Sequence, residues 1–385
     1  MDYLAASFAD VLAEWPVARV QAALAAADPG RVRRVLADGA RTEADLAALL
    51  APGAAPQLES LARRAASLTR QRFGHTVQFY APLYVSNHCV NGCLYCGFNC
   101  RNRTARRRLT VAEAVREAEH LVGRGFRHLL LVAGEDPKGV PVDYFAELAR
   151  ALGHLVASLS IEIQPLGVAE YASLVQAGVD SLTIYQETYD PVAYARFHPS
   201  GPKRDFRWRL ETPERGAQAG VAFLGIGALL GLADWRVDAF YVGLHARYLQ
   251  RTCWRQHVSV SFPRMRRAAG ALEPPCPVGD AELVQILCAL RLFLPDAGMV
   301  LSTRESAALR DHLLPLGITR LSAGSRTAPG GYAEETEAEN QFEVQDHRSL
   351  AEVMAAAQAR GFDSVCKDWD PAYRTTTSDR STAGR

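Results

Sequence analysis

From residue 75 onward, short apolar runs alternate with longer segments whose apolar residues recur at helical spacing. The runs predict eight strands, at 76–85, 128–133, 160–166, 181–186, 221–229, 257–262, 299–303 and 318–323. Helices are predicted between most of them, one opened by a capping box of Thr110 and Glu113 and others at 143–156, 169–178, 238–252 and 280–294. Eight alternating strand and helix units are typical of an α/β fold of the (βα)8 TIM-barrel type.

The first 74 residues show helical spacing only, for instance in a segment opened by Thr42 and in the spacing of Leu58, Leu61 and Leu68. We therefore expect an N-terminal helical extension over residues 1–74 and a barrel domain over residues 75–373. Residues 374–385 are polar, so we expect a loose tail there.

Composition narrows the class of protein. A chain of 385 residues with 48% hydrophobic content can bury a large core, and a formal net charge of +1 gives no general indication of nucleic-acid or membrane binding. There is no uninterrupted run of 18 apolar residues and no basic, cleavable leader at the N-terminus. Eight cysteines without paired spacing suit a reducing compartment, so we expect a cytoplasmic protein.

Three cysteines directly after the first predicted strand carry the clearest chemistry. Cys89, Cys93 and Cys96 are spaced C-x3-C-x2-C. A four-iron cluster takes four cysteine thiolates when closed, so three would leave one iron open for a ligand that is not protein. Cys100 keeps a closed cluster or a structural zinc site possible, although no second pair of ligands follows as in usual zinc sites. The remaining cysteines stand singly and are expected to be buried thiols: Cys253, Cys276, Cys288 and Cys366.

Polar residues stand at the ends of most other predicted strands. In a (βα)8 barrel the active site is built from the loops after the carboxyl ends of the strands, so these residues are expected to converge on one mouth. The segments concerned are Gly134–Glu135, Gln164–Leu166, Tyr185–Thr188, Ser261–Arg264 and Ser302–Glu305.

The triple-cysteine spacing resembles that of radical S-adenosylmethionine (SAM) enzymes. That resemblance implies a [4Fe–4S] cluster and SAM, which the reduced cluster splits into methionine and a 5′-deoxyadenosyl radical. Further motifs, over residues 75–370, resemble those of the 2-iminoacetate synthase family, the tyrosine lyases of thiamine thiazole synthesis. They are Pro82–Asn87, Cys93–Phe98, Tyr185–Tyr189, Arg209–Arg215, Ser302–Glu305, Ala328–Tyr332 and Lys367–Asp370. The implied reaction cleaves the Cα–Cβ bond of L-tyrosine to 2-iminoacetate and p-cresol.

The resemblance also implies roles for residues that would bind SAM. Tyr95 would lie beside the adenine and Glu135 would bind the amino group, although Ala133 replaces the first glycine of the family's Gly-Gly-Glu. Gln186 and Glu187 would lie near the ribose and the carboxylate. Arg209 would bind the carboxylate with its planar guanidinium, unless it is a surface charge of a helix.

For the substrate, the same resemblance assigns the carboxylate of tyrosine to Arg304, supported by Ser302. The alternative for Arg304 is an ion pair with Glu305, which is less favoured because neighbours on a strand point to opposite faces. The residue that exchanges the phenol proton is not identified by sequence, and His257 and Tyr241 are open candidates.

A run of basic residues follows the segment with the three cysteines Cys89, Cys93 and Cys96, which we call the cluster loop. The run comprises Arg101, Arg103, Arg106, Arg107 and Arg108. We expect a solvated or docking face, suited to an acidic electron donor such as flavodoxin or ferredoxin, and the alternative is a nucleic-acid-binding module. The resemblance further implies a thiazole synthase as partner. Rival interpretations are a hydrogenase-maturation tyrosine lyase, which carries further C-terminal cysteines, and a lyase acting on tryptophan.

Overall fold

A closed barrel of parallel strands forms the body of the protein, in a computed structural model that describes residues 7–366. Eight strands follow the chain around the barrel in the order β1 to β8, and pairing of β1 with both β2 and β8 closes it. Their bounds are β1 Thr76–Ser86, β2 His128–Ala133, β3 Ser158–Glu162, β4 Ser181–Glu187, β5 Phe223–Ala228, β6 His257–Ser261, β7 Gly298–Leu301 and β8 Arg320–Ser322. The predicted (βα)8 fold is confirmed.

A ninth strand, β9, spans Asp363–Val365 and was not predicted. It pairs in parallel with Thr76–Gln78, the first residues of β1, while β2 pairs with the later residues of the same strand. Strand β1 therefore contacts β2, β8 and β9, and the last described residues return to the amino end of the barrel.

The helices of the barrel lie outside the strands and bury their apolar faces against them. Three short α-helices and one 3-10 helix connect β4 to β5, and one of these α-helices carries Arg209. The bounds are α6 Val111–Gly123, α7 Val142–Leu152, α8 Val168–Ala177, α9 Pro191–Phe197, α10 Phe206–Leu210, α11 Thr212–Gln218, α12 Trp235–Thr252, α13 Asp280–Phe293, α14 Ala307–Gly317 and α15 Leu350–Gln358.

From residue 7 onward, five α-helices precede β1. They are α1 Phe8–Glu14, α2 Val17–Ala25, α3 Pro29–Asp38, α4 Glu43–Leu50 and α5 Leu58–Phe73. They share one continuous apolar core with the barrel. Phe8 stacks on His245 of α12 with ring centroids 4.0 Å apart, and the Gln285 side chain of α13 donates to the carbonyl oxygens of Leu49 and Ala51.

The division of the chain at residue 74 stays a prediction, because that shared core does not by itself mark a boundary. The expected polar tail at 374–385 lies outside the described residues. Over residues 7–366, no helix combines the length and apolar character needed to span a membrane.

Candidate active site

The loop after β1 brings three thiols to a cavity at the carboxyl end of the barrel. Cys89, Cys93 and Cys96 line this cavity, which encloses about 890 Å³ including its open mouth. Cys100 is exposed and does not line it. Within residues 7–366, no three His, Cys, Asp or Glu side chains are arranged to hold a single metal ion. Because Cys100 lies outside the cavity, the three remaining thiols favour an open three-thiolate site over a closed four-thiolate cluster.

The cavity thiols hold their protons tightly. Burial raises the pKa of Cys93 to about 12 and that of Cys96 to about 11. Thiolates are the form that binds metal, so iron must displace the proton of each thiol. Of the other four cysteines, Cys288 is buried, the remaining three are half-buried, and none lines the cavity.

Arg106 holds the cluster loop in place. Its guanidinium donates to the carbonyl oxygens of Asn87, Phe98 and Asn99 at 2.6, 3.0 and 2.7 Å. Arg107 pairs with Glu113, and Arg108 donates to the carbonyl oxygen of Gly139. The expectation of a solvated face is therefore wrong for Arg106 and Arg107, which are half-buried, whereas Arg108 is exposed as expected. Arg101 and Arg103 are exposed.

The residue after β2, Gly134, packs against the loop that follows β1. Gly134 lies so near it that a Cβ on this residue would stand 2.2 Å from the carbonyl oxygen of His88. The next residue, Glu135, lines the cavity and accepts a hydrogen bond from the Asn91 side chain at 2.5 Å. Asn91 also contacts the Cys89 sulfur, so it joins the predicted SAM contact to a predicted cluster ligand.

Glu187 ends β4 and aims its carboxylate into the cavity. It pairs with Lys203 at 2.6 Å and with Arg209 at 3.4 Å. Burial alone would raise the pKa of Glu187, but the two cations hold it below its ordinary value. Its φ of 72° is the only positive value among the described residues other than glycine, and such strained residues cluster at functional sites.

Tyr95 lines the same cavity and is held by His198. The two side chains are joined by a hydrogen bond of 2.8 Å, and the second ring nitrogen of His198 faces the carbonyl oxygen of Tyr194 at 2.7 Å. Only a protonated Nδ1 can donate to that carbonyl, so Tyr95 donates to Nε2. Burial lowers the pKa of His198 to about 3, which keeps the ring neutral.

Arg304 lies deeper in the mouth, after β7. Its guanidinium stacks on the Phe342 ring at 3.3 Å and contacts the carbonyl oxygen of Arg264. Glu305 points away and pairs with Arg264 and Arg266, so the alternative pairing with Arg304 does not form. Among the described residues no carboxylate lies within ion-pair distance of Arg304. Ser302 lines a lower extension of the cavity together with Arg304.

Three candidates lie away from the cavity. Gln186 is buried and donates to the carbonyl oxygen of Phe206 at 3.2 Å, so it fixes α10 but does not line the cavity. The β-pleat turns it outward between Tyr185 and Glu187. His257 begins β6, at the amino end of the barrel. Tyr241 lies in α12 and donates to the carbonyl oxygen of Trp15.

Sequence reasoning missed Glu162, Lys203 and Asn91, which all line the cavity. The predicted third strand ran to residue 166, whereas β3 ends at Glu162. The alternation of apolar and polar residues in β3 could have identified Glu162. Leu159 and Ile161 are buried, while Ser160 and Glu162 face the barrel interior.

Comparison with known proteins identifies the family. Residues 83–241 match the model of the Radical SAM superfamily, and residues 261–363 match the Biotin and Thiamin Synthesis associated domain. The chain is 48% identical to a 2-iminoacetate synthase of Escherichia coli over 88% of its length and 90% of that protein, and 46% identical to one of Salmonella typhimurium over the same shares.

Solved structures agree with this result. The [FeFe]-hydrogenase maturase HydG from Carboxydothermus hydrogenoformans matches with a TM-score of 0.88 at 32% identity, over 96% of this chain and 87% of that one. A methylornithine synthase matches with a TM-score of 0.71 at 23% identity, over 87% of this chain and 97% of that one, which supports the fold alone. The three cavity thiols, the closed parallel barrel and near full-length similarity to two synthases lead to one conclusion: this chain belongs to the 2-iminoacetate synthase family of radical SAM enzymes.

Proposed function

We propose that the protein cleaves the Cα–Cβ bond of L-tyrosine, giving 2-iminoacetate and p-cresol with 5′-deoxyadenosine and methionine as coproducts. The observation that carries this proposal is the similarity to 2-iminoacetate synthases over 88% of the chain. The cavity supports it, because cluster thiols and an unpaired guanidinium face the same space.

The cofactors implied by the family are a [4Fe–4S] cluster, held by Cys89, Cys93 and Cys96, and SAM. When bound, they supply a 5′-deoxyadenosyl radical that takes a hydrogen atom from the substrate amine. The protein residues position and shield the reacting groups. In this proposal Tyr95, Glu135, Glu187 and Arg209 contact SAM, and their common cavity supports those roles.

Gln186 takes an indirect role in the proposal. Its side chain supports α10, the short helix that carries Arg209, through the carbonyl oxygen of Phe206. The Arg209 guanidinium also donates to the carbonyl oxygen of Tyr185 at 2.7 Å. Gln186 is therefore a positioning residue for Arg209 rather than a direct contact of SAM.

Arg304 binds the substrate carboxylate in this proposal, and Ser302 supports it. Arg304 is half-buried, and a cation that is partly removed from water without a carboxylate partner favours a ligand that provides one. Burial lowers the pKa of Arg304, and nearby Tyr84, Glu187, Glu162 and Tyr185 oppose that change. An amino-acid carboxylate is the natural partner for this guanidinium.

The partners belong to the proposal as well. An acidic electron donor such as flavodoxin or ferredoxin would dock near the exposed Arg101, Arg103 and Cys100, beside the cluster loop. A thiazole synthase would receive the 2-iminoacetate, which hydrolyses in water. A cytoplasmic location is supported by eight free cysteines.

An anaerobic turnover assay tests the reaction. The reconstituted protein is supplied with SAM, L-tyrosine and a strong reductant, and mass spectrometry follows p-cresol, 5′-deoxyadenosine and glyoxylate from hydrolysed 2-iminoacetate. We expect all three products, their loss in Cys93→Ala, and their retention in Cys276→Ala, whose half-buried thiol does not line the cavity. Deoxyadenosine with no p-cresol from tyrosine would contradict the proposed substrate, and a parallel reaction with L-tryptophan tests the alternative.

A further inference from the structure

Glu162 is a half-buried carboxylate without a protein partner in the cavity at the carboxyl end of the barrel. It is the last residue of β3, and its side chain lines both the main cavity and the lower extension. Within residues 7–366, no side chain or backbone group forms a hydrogen bond or ion pair with its carboxylate. A carboxylate that is partly removed from water, with no partner in the protein, favours a cationic ligand group that pairs with it.

Four charged groups act on Glu162. Lys203 and Arg209 of α10 both pair with Glu187 of β4, whereas Arg304, after β7, forms no ion pair with a described carboxylate. Neutral phenols from two strands also lie near Glu162, namely Tyr80 and Tyr84 of β1 and Tyr185 of β4. Glu162 shares the main cavity with the proposed SAM contacts and the lower extension with the proposed carboxylate contact.

An α-amino acid carries its ammonium and carboxylate groups on one carbon atom, so their binding sites must be neighbours. Glu162 and Arg304 line the same lower cavity and carry opposite charges. The amine must also face SAM, because the hydrogen atom is taken from it in the proposed function. Glu162 is the carboxylate that meets both conditions, since Glu187 is already paired with two cations and Glu305 points away.

We propose that Glu162 binds the α-ammonium group of L-tyrosine and accepts one proton from it before a hydrogen atom is removed from the nitrogen. This inference rests on the proposed function. An N–H bond of the ammonium breaks, its electron pair stays on nitrogen, and an O–H bond forms on the Glu162 carboxylate. No oxidation or reduction occurs, and the product is a neutral amine that still carries two hydrogen atoms.

The surroundings of Glu162 suit a proton acceptor at neutral pH. Burial raises the pKa of Glu162 to about 7, and the negative charge of Glu187 acts in the same direction. A base is most effective when its pKa lies near the working pH. The carboxylate fraction of Glu162 grows as the pH rises through this value, so binding of the ammonium is expected to strengthen over the same interval.

Anaerobic calorimetry on the holoenzyme with SAM tests the inference through binding rather than turnover. The ligands are L-tyrosine, 3-(4-hydroxyphenyl)propanoate, which lacks the amino group, and tyramine, which lacks the carboxylate. We expect Glu162→Gln to weaken L-tyrosine and tyramine by roughly 10- to 100-fold, the range of a charged hydrogen bond, and to leave the propanoate unchanged. Arg304→Gln should weaken L-tyrosine and the propanoate and spare tyramine.

The matched control is Glu147→Gln, which removes an exposed carboxylate of α7 and should bind all three ligands as the unaltered protein does. A Glu162→Gln protein that binds L-tyrosine normally would overturn the inference. Loss of propanoate binding in the same variant would also overturn it. Either result would mean that Glu162 does not bind the ammonium group. Affinity for L-tyrosine that rises with pH in the unaltered protein and stays flat in Glu162→Gln would support it. If the unaltered holoenzyme neither binds nor cleaves L-tyrosine, the proposed function itself fails.

Discussion

Glu187 lines the cavity and adopts an unfavourable backbone conformation there. The register between β4 and β5 shifts between Tyr185 and Glu187, so these two residues face the interior with Gln186 between them. The segment beyond is fixed by Asp238 of α12, whose carboxylate accepts from the Thr188 hydroxyl at 3.0 Å and the Tyr189 amide at 2.8 Å. These contacts hold the positive φ of Glu187 in place.

Gly134→Ala gives a test at the level of one methyl group. The added Cβ would meet the carbonyl oxygen of His88 at 2.2 Å and the Cys89 Cβ at 3.1 Å. Backbone must move to relieve this contact, and the nearest backbone precedes a predicted cluster ligand. We expect the purified, reconstituted variant to hold less than half of the iron of the unaltered protein, measured by iron analysis and by the electron paramagnetic resonance signal of the reduced cluster.

Gly123→Ala is the control for that experiment. This glycine ends α6, and a Cβ there meets nothing within 4 Å. Its iron content should match that of the unaltered protein, with equal or slightly greater stability because alanine favours helix. Full iron loading in Gly134→Ala would show that the loop tolerates displacement and that the close approach is not required.

At the scale of elements, the loop between β1 and α6 is ordered by hydrogen bonds to Arg106 instead of by regular secondary structure. One guanidinium satisfies several carbonyl oxygens that would otherwise lack partners in a partly buried loop. Lysine could not reproduce this, because it lacks the planar arrangement of donors. The loop geometry therefore depends on an arginine that is not a ligand.

Arg106→Lys is expected to loosen the cluster loop while keeping the net charge. Amide hydrogen exchange over residues 87–102 should become faster, and iron should be lost to a chelator several times sooner than from the unaltered protein. Arg103→Lys, at an exposed neighbouring position, should change neither rate. Equal exchange in the two variants would mean that the hydrogen bonds of Arg106 do not hold the loop.

The sequence predicted the elements of the barrel well and their inward-facing residues less well. All eight strands and the cysteine loop were found because apolar runs and the triple-cysteine spacing are local signals. Glu162 was missed because the apolar pattern continued through Ile163 and hid the end of β3. The partners of Arg106 and Gln186 could not be predicted, because the partners of a polar side chain depend on segments that the fold brings near, which periodicity does not reveal.

At the scale of the whole molecule, the five N-terminal helices are part of the core. The Phe8 ring stacks on His245, whose Nδ1 is joined to the Tyr189 hydroxyl at 2.9 Å. Tyr189 in turn follows the segment that carries Glu187. The first helix therefore packs against the wall that supports the cavity, and its packing contributes to the stability of the barrel.

Acid should destabilise the protein through His245. Burial lowers the pKa of this histidine to about 3, against an ordinary value of 6.5, so the ring is neutral in the folded chain and takes up a proton in the unfolded chain below pH 6.5. The neutral buried ring therefore does not lower the free energy of unfolding above pH 6.5. That free energy falls as the pH decreases from 6.5 toward 3, because the unfolded chain alone takes up the proton. Between pH 6 and 5, the free energy of unfolding should fall by roughly 1 kcal/mol more in the unaltered protein than in His245→Asn.

Urea unfolding at several pH values measures this difference. His154→Asn is the control for the same replacement at an exposed position. The readout is the slope against pH and not the absolute stability, since His245→Asn also removes the stacking on Phe8. Parallel slopes for the unaltered protein and His245→Asn would contradict the prediction.

Contacts between distant parts of the chain also set an order of events during synthesis. The Asn87 side chain donates to the carbonyl oxygen of Glu339, 252 residues later, and the Gly97 amide donates to that of Gln341 at 3.0 Å. A ribosome needs roughly 10 to 50 s to add so many residues. The thiol-bearing loop therefore emerges long before the segment that packs over it, and throughout that interval its cysteines are open both to iron and to oxidants.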